Sequence, residues 1–145
     1  MPTLLGNKYN AAWLGVPIRM SPEDYEIWQR WRPLHKSEIS ELYFDVGLGG
    51  GSPVPDQYDE QMRWMWLRNT QKRADVVAVM GGGVEIIELR TMASENAVGR
   101  LLCYGMLWLD DPVIVASLRL RLVTDDYDAD VERLCRLSRI IYEVI

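Results

Sequence analysis

The sequence predicts a mixed α/β (α+β) domain, a small central mixed β-sheet flanked by helices in the order αβαββαβα, and three stretches carry that prediction. ADVVAVM (74–80) and VEIIELRT (84–91) are rich in β-branched residues and joined by Gly81-Gly82-Gly83, the signature of an antiparallel hairpin. ENAVGRLLCYGMLWL (95–109) follows as a helix that is apolar nearly all round, which predicts burial on every side. Leu118-Arg119-Leu120-Arg121-Leu122 alternates strictly, as a half-buried strand near a sheet edge does.

The remaining elements follow in chain order. Residues 1–20 read as an extended arm punctuated by Gly6, Gly15 and Pro17, and residues 21–145 as a single domain. The arm is expected to dock on its own domain through Leu4, Leu5 and Trp13, or against a neighbouring subunit. Ser21-Pro22-Glu23-Asp24 is a helix start, with Ser21 as N-cap and Pro22 in the first turn, and Pro33 should stop that helix after Arg32. Its Tyr25, Trp28 and Trp31 form an aromatic stripe suited to a core. Ile39 to Val46 reads as a strand and residues 56–73 as a second helix. Between them the loop 47–55 lacks the Gly-Lys-Ser/Thr ending of a phosphate cradle. A closing amphipathic helix is expected from about Asp128 to Val144. Asp126, Asp128 and Asp130 imitate a calcium loop, but Val131 and Leu137 stand where glycine and a bidentate acid are needed, so helix capping accounts for them.

Composition narrows the function. A chain of 145 residues that is 48% hydrophobic suits one globular core. The net charge of -5 argues against general attraction to nucleic acid or anionic membrane, although a local basic groove survives an acidic average. Cys103 and Cys135 sit in apolar helical patterns away from any Cys-x-x-Cys cluster and read as buried free thiols of a reducing compartment. Neither a signal peptide nor an apolar run long enough to span a membrane is evident. The expectation is a cytoplasmic or virion-associated protein with no membrane partner.

The chemistry concentrates in VEIIELR. In an extended chain Glu88 and Arg90 share a face with Val84 and Ile86, while Glu85, Ile87 and Leu89 point the other way. A hairpin turn over residues 81–83 places Asp75 opposite Leu89, between Glu88 and Arg90. Two carboxylates on adjacent strands form the usual protein share of a Mg²⁺ site. The plain alternative is a surface ion pair between Glu88 and Arg90, worth about 0–1 kcal/mol.

The order helix, strand, Asp-bearing strand, Glu-x-basic strand, helix, strand resembles the core of the PD-(D/E)XK nuclease superfamily, the restriction-endonuclease-like fold. The resemblance covers roughly residues 21–125 and is strongest over 73–108. It implies Asp75 and Glu88 as metal-binding acids and Arg90 at the position where the family carries the lysine associated with the attacking water and the phosphate. Gly99-Arg100-Leu101-Leu102-Cys103-Tyr104 is similar to the family's Gly-Gln-Leu-x-x-Tyr, with Arg100 replacing the glutamine. Both departures weaken catalysis, since a guanidinium clamps a phosphate but does not accept a proton.

Three functions are compatible with the resemblance, the two arginine departures and the acidic balance. The first is a non-catalytic nuclease-fold protein without cofactor, a structural or interaction subunit of a larger assembly such as a phage particle. It would engage protein subunits through the arm and its aromatic surfaces as a homo- or hetero-oligomer. The second is a Mg²⁺-dependent DNA nuclease using Asp75, Glu88 and Arg90, with Glu23 or Glu26 adding a third acid. The third binds nucleic acid without cleaving it, through Arg73 and Arg100 together with Arg63, Arg68, Lys72 and Arg90.

Overall fold

Two glycines set the register of the sheet. Gly81 and Gly82 have φ of +57° and +75°, the left-handed pair that a two-residue hairpin turn requires, and Gly83 already pairs with Met80. The turn is thus one residue shorter than the three-glycine run suggests. Val76 faces Ile87, so one step further Asp75 comes level with Glu88 rather than Leu89. This corrects the sequence-based register and brings the two acids side by side.

The computed structural model describes residues 2–145; residue 1 of the expected arm lies outside them. The elements are α1 (Pro22–His35), β1 (Ile39–Leu48), α2 (Glu60–Thr70), β2 (Lys72–Met80), β3 (Gly83–Arg90), α3 (Glu95–Asp110), β4 (Ser117–Thr124), α4 (Ala129–Leu137) and β5 (Ile140–Val144), with a 3-10 turn at Lys36–Glu38 after α1. The sheet runs β1-β2-β3-β4-β5, antiparallel through the first three strands and parallel from β3 to β5. A parallel step needs a crossover, and α3 and α4 supply the two.

Three expectations about elements change. Pro33 lies inside α1 instead of ending it: its fixed φ suits a helix, and the last turn is anchored by the His35 ring stacked 4.4 Å from Trp31. The closing helix stops at Leu137, because Arg139 takes a left-handed φ of +58° and the β-branched run Ile140-Ile141 then adds a fifth strand. That strand lies outside β4, so the alternating 118–122 stretch is one place in from the edge.

Each face of the sheet carries its own core. Val84 and Ile86 of β3 pack with Val98, Leu101, Tyr104 and Trp108 of α3, while Ile87 and Leu89 pack with Ile27, Trp28 and Trp31 of α1. The arm docks on its own domain, through backbone bridges from Leu4 to Gly47 and from Tyr9 to Leu42 along the outer edge of β1. Thr3 adds bonds to Asp111, and Trp13 lies against Tyr9 and Phe44. Asp128 caps α4 as its sequence predicts, accepting from the backbone of Asp130 and Val131. Cys135 is buried and Cys103 half-buried, both as free thiols.

α3 departs from its reading as an all-round buried helix. Leu102, Met106 and Leu109 are 44%, 56% and 65% exposed, so one side of an apolar helix is left uncovered. α2 likewise has only exposed or half-buried residues, with Trp64 and Met65 outward.

Candidate functional site

The open end of the β2–β3 hairpin gathers acids from three elements around one arginine. β3 delivers Glu88, which is 2% exposed, and Arg90, whose Nη2 donates to Glu88 Oε2 at 2.8 Å. They share the α3 side of the strand as alternation requires, but burial of the carboxylate rules out a solvated surface pair. β2 delivers Asp75, whose Oδ2 accepts from the Leu89 backbone N–H at 3.2 Å and whose carboxyl reaches Glu88. Burial first, then the Glu88 charge, raises the Asp75 carboxyl well above the usual range, so Asp75 favours its protonated form.

α1 adds a third acid that differs from the expected ones. Asp24, in the first turn, stands close enough to Asp75 that burial and then the Asp75 charge raise its pKa, whereas Glu23 and Glu26 are exposed. The spacing explains the choice, because Asp24 lies three residues before Ile27 and seven before Trp31, on the stripe that faces the sheet. From α3 comes Tyr104, 3% exposed, whose hydroxyl is raised by burial and then by the Glu88 charge and is met by Arg100. Asp24 takes the place expected of Glu23 or Glu26, and Tyr104, matched in the Gly-Arg-Leu-Leu-Cys-Tyr stretch without a site role, joins the cluster.

The two arginines expected to meet nucleic acid part company. Arg100 is exposed on α3. Arg73 is tied inward: its Nη1 donates to Asp45 Oδ2 at 2.6 Å, and its other nitrogen bonds the Arg68 carbonyl. Asp45 reaches it from a left-handed φ of +51° in β1.

The magnesium site expected from the sequence resemblance meets this donor set only in part. Asp75 and Glu88 are the acids such an ion takes, yet Glu88 Oε2 is held by Arg90 and Asp75 Oδ2 by a backbone N–H. Among the described residues no three His, Cys, Asp or Glu side chains converge with ligating spacing. The set as arranged suits a proton and a guanidinium better than a divalent cation. Arg90 Nε, buried beside Glu88, has no hydrogen-bond partner among the described residues.

Among solved structures, the crystal structure of a repair endonuclease from Pyrococcus abyssi is similar, with a TM-score of 0.51 at 13% sequence identity over 90% of this chain. The chain has a nuclease-like fold. It spans about half of that neighbour, 49% of its length, and an identity this low carries the architecture alone. No protein-family model and no curated protein matches the sequence. The five-stranded mixed sheet between helices is a restriction-endonuclease-like arrangement, and the hairpin acids sit on its central strands.

A second polar cluster lies on the opposite face of the nuclease-like sheet. Glu85, 2% exposed, receives Arg121 at 2.7 Å and Arg119 at 3.2 Å; Arg121 also donates to Glu143 at 2.7 Å, and Glu143 is bonded by Trp31 Nε1 at 2.9 Å and by His35. The alternating Leu-Arg stretch of β4 was read as half solvent-facing; its arginines are folded onto a buried glutamate of β3 instead.

Asp75 gives a testable pH dependence. Its folded pKa is raised, so the folded chain binds that proton more tightly than the unfolded chain. The resulting stability is fully present below the ordinary carboxylate range and is lost as pH rises through the folded value. Asp75→Asn removes the loss, and thermal melts should show the variant gaining a few °C over wild type at pH 8 but nothing at pH 4. Equal gains at both pH values would show that Asp75 titrates as an ordinary surface acid.

Proposed function

We propose that the protein is a nuclease-fold domain that does not cleave nucleic acid and serves as a structural or interaction subunit of a larger assembly. The observation that carries this reading is the 2.8 Å pair between Arg90 and the buried Glu88, in which the chain's own cation neutralises the second acid of the site. The arginine lies where the resembled family uses lysine, and it cannot serve as a proton acceptor. The partner is a protein surface engaged by exposed apolar side chains, of which the arm offers Leu14, Val16 and Ile18 and α2 offers Trp64 and Met65. No helix among the described residues is long and apolar enough to cross a membrane, and a cytoplasmic or virion-associated setting fits the reading.

A second reading, a magnesium-dependent nuclease, draws support from the convergence of Asp24, Asp75 and Glu88 on one end of the sheet. Calorimetric titration with Mg²⁺ and Mn²⁺, beside a cleavage assay on plasmid and single-stranded DNA, separates the two. The structural reading expects no saturable binding and no cleavage. Binding that Glu88→Gln abolishes, with cleavage that Asp75→Asn abolishes, would establish the nuclease.

A further inference from the structure

β5 is an edge strand with nothing beside it on its far side among the described residues, whereas the other edge, β1, is covered by the arm. The Ile145 N–H donates to the Thr124 carbonyl at 3.0 Å. Because successive peptide groups of a strand point to opposite sides, the N–H and C=O groups of Ile140, Tyr142 and Val144 are turned away from β4. Edges of this kind are normally blunted by a charge, a proline or a covering segment. Here the one charge, Glu143, is turned onto Arg121, His35 and Trp31 and leaves the edge uncharged.

Beside that edge runs a groove of about 610 Å³, walled by Leu102, Met106 and Leu109 of α3 and floored by Leu118, Leu120 and Ile141, with Arg119, Ser138 and Arg139 completing a mainly apolar lining. Leu137, at the end of α4, is 75% exposed. Leu102, Met106 and Leu109 are the face of α3 that no described residue covers, although its sequence is apolar nearly all round. Leu102, Met106, Leu109 and Leu137 are all more than 40% exposed, and apolar side chains clustered in this way beside an open strand edge are the kind of surface that forms interfaces.

We infer that a second copy of this chain occupies this face, pairing β5 with β5 in antiparallel fashion about a two-fold axis at Tyr142. Self-pairing is favoured by the register it produces. Tyr142 meets Tyr142 of the partner subunit, and Ile140 meets Val144 of the partner subunit, so the three outward residues of each strand exchange about six backbone hydrogen bonds and pair apolar with apolar. No like charges oppose each other across the axis, since Glu143 is held inside its own protomer. The result is a continuous sheet through both subunits, flanked by the apolar faces of α3 and α4. This interface is separate from the arm and from the acid site, and it stands whether or not the site is catalytic.

Sedimentation equilibrium over a micromolar concentration series tests it. Wild type is expected to be a reversible dimer. Val144→Pro, which deletes one outward N–H at a position where an edge strand tolerates proline, should be monomeric with an unchanged circular dichroism spectrum, while Val144→Ala stays dimeric. Leu109→Glu, on an exposed helix position that leaves folding untouched, should weaken association at least tenfold. A wild type that remains monomeric throughout, or a dimer that survives both Val144→Pro and Leu109→Glu, overturns the proposal.

Discussion

Arg121→Ala should lower the unfolding free energy by about 3–5 kcal/mol, among the largest effects expected of a single substitution in this chain. The side chain is 11% exposed and bridges two acids, Glu85 of β3 and Glu143 of β5, while its guanidinium carbon lies 5.7 Å from the centre of the Trp31 ring. Truncation leaves Glu85, itself 2% exposed, with only the longer contact to Arg119. Much of the loss is therefore the cost of a buried carboxylate deprived of its cation, more than the lost value of the pair. Urea denaturation should show a lower midpoint at unchanged slope. The double change Arg121→Met with Glu85→Leu should recover most of the loss, because an apolar pair of similar volume removes the charge along with its partner. A loss below about 1 kcal/mol would place the contact among solvated surface pairs.

Arg90→Ala should be comparably destabilising, by about 3–5 kcal/mol, since Glu88 is as buried as Glu85 and Arg90 is its cation. The informative part is rescue. With the guanidinium gone, Asp75 and Glu88 stand together without a counter-charge, and millimolar Mg²⁺ or Mn²⁺ should raise the melting temperature of the variant more than that of wild type. Equal shifts in both proteins would mean that the acids do not form a latent cation site even when vacated. Arg90→Lys keeps the charge and should restore most of the stability.

How much of this was legible depended on whether the relevant interaction was local. The hairpin, the crossover helix and the caps at Ser21 and Asp128 are written in patterns a few residues long, and they appear where those patterns place them. Asp75, Glu88 and Arg90 also came together, because alternation and a glycine turn suffice to align two neighbouring strands. What failed was everything settled at a distance. A helix from about Asp128 to Val144 is reasonable on periodicity, but a left-handed Arg139 and the vacant side of β4 turn its second half into β5. Arg73 looks basic and free in the sequence, and Asp45, 28 residues earlier, claims it. Glu23 and Glu26 were the nearest acids by motif, while the angular position of the α1 stripe selects Asp24.

The arm along β1 bears on how large an assembly can become. A sheet with two bare edges presents two different surfaces to its neighbours, and contacts between unlike edges add subunits without end, as fibres do. By bridging Leu4 to Gly47 and Tyr9 to Leu42, the chain spends its first residues on hiding one of those surfaces. Under the proposed β5 pairing, growth through the strand that remains would be head to head and would close after a single step.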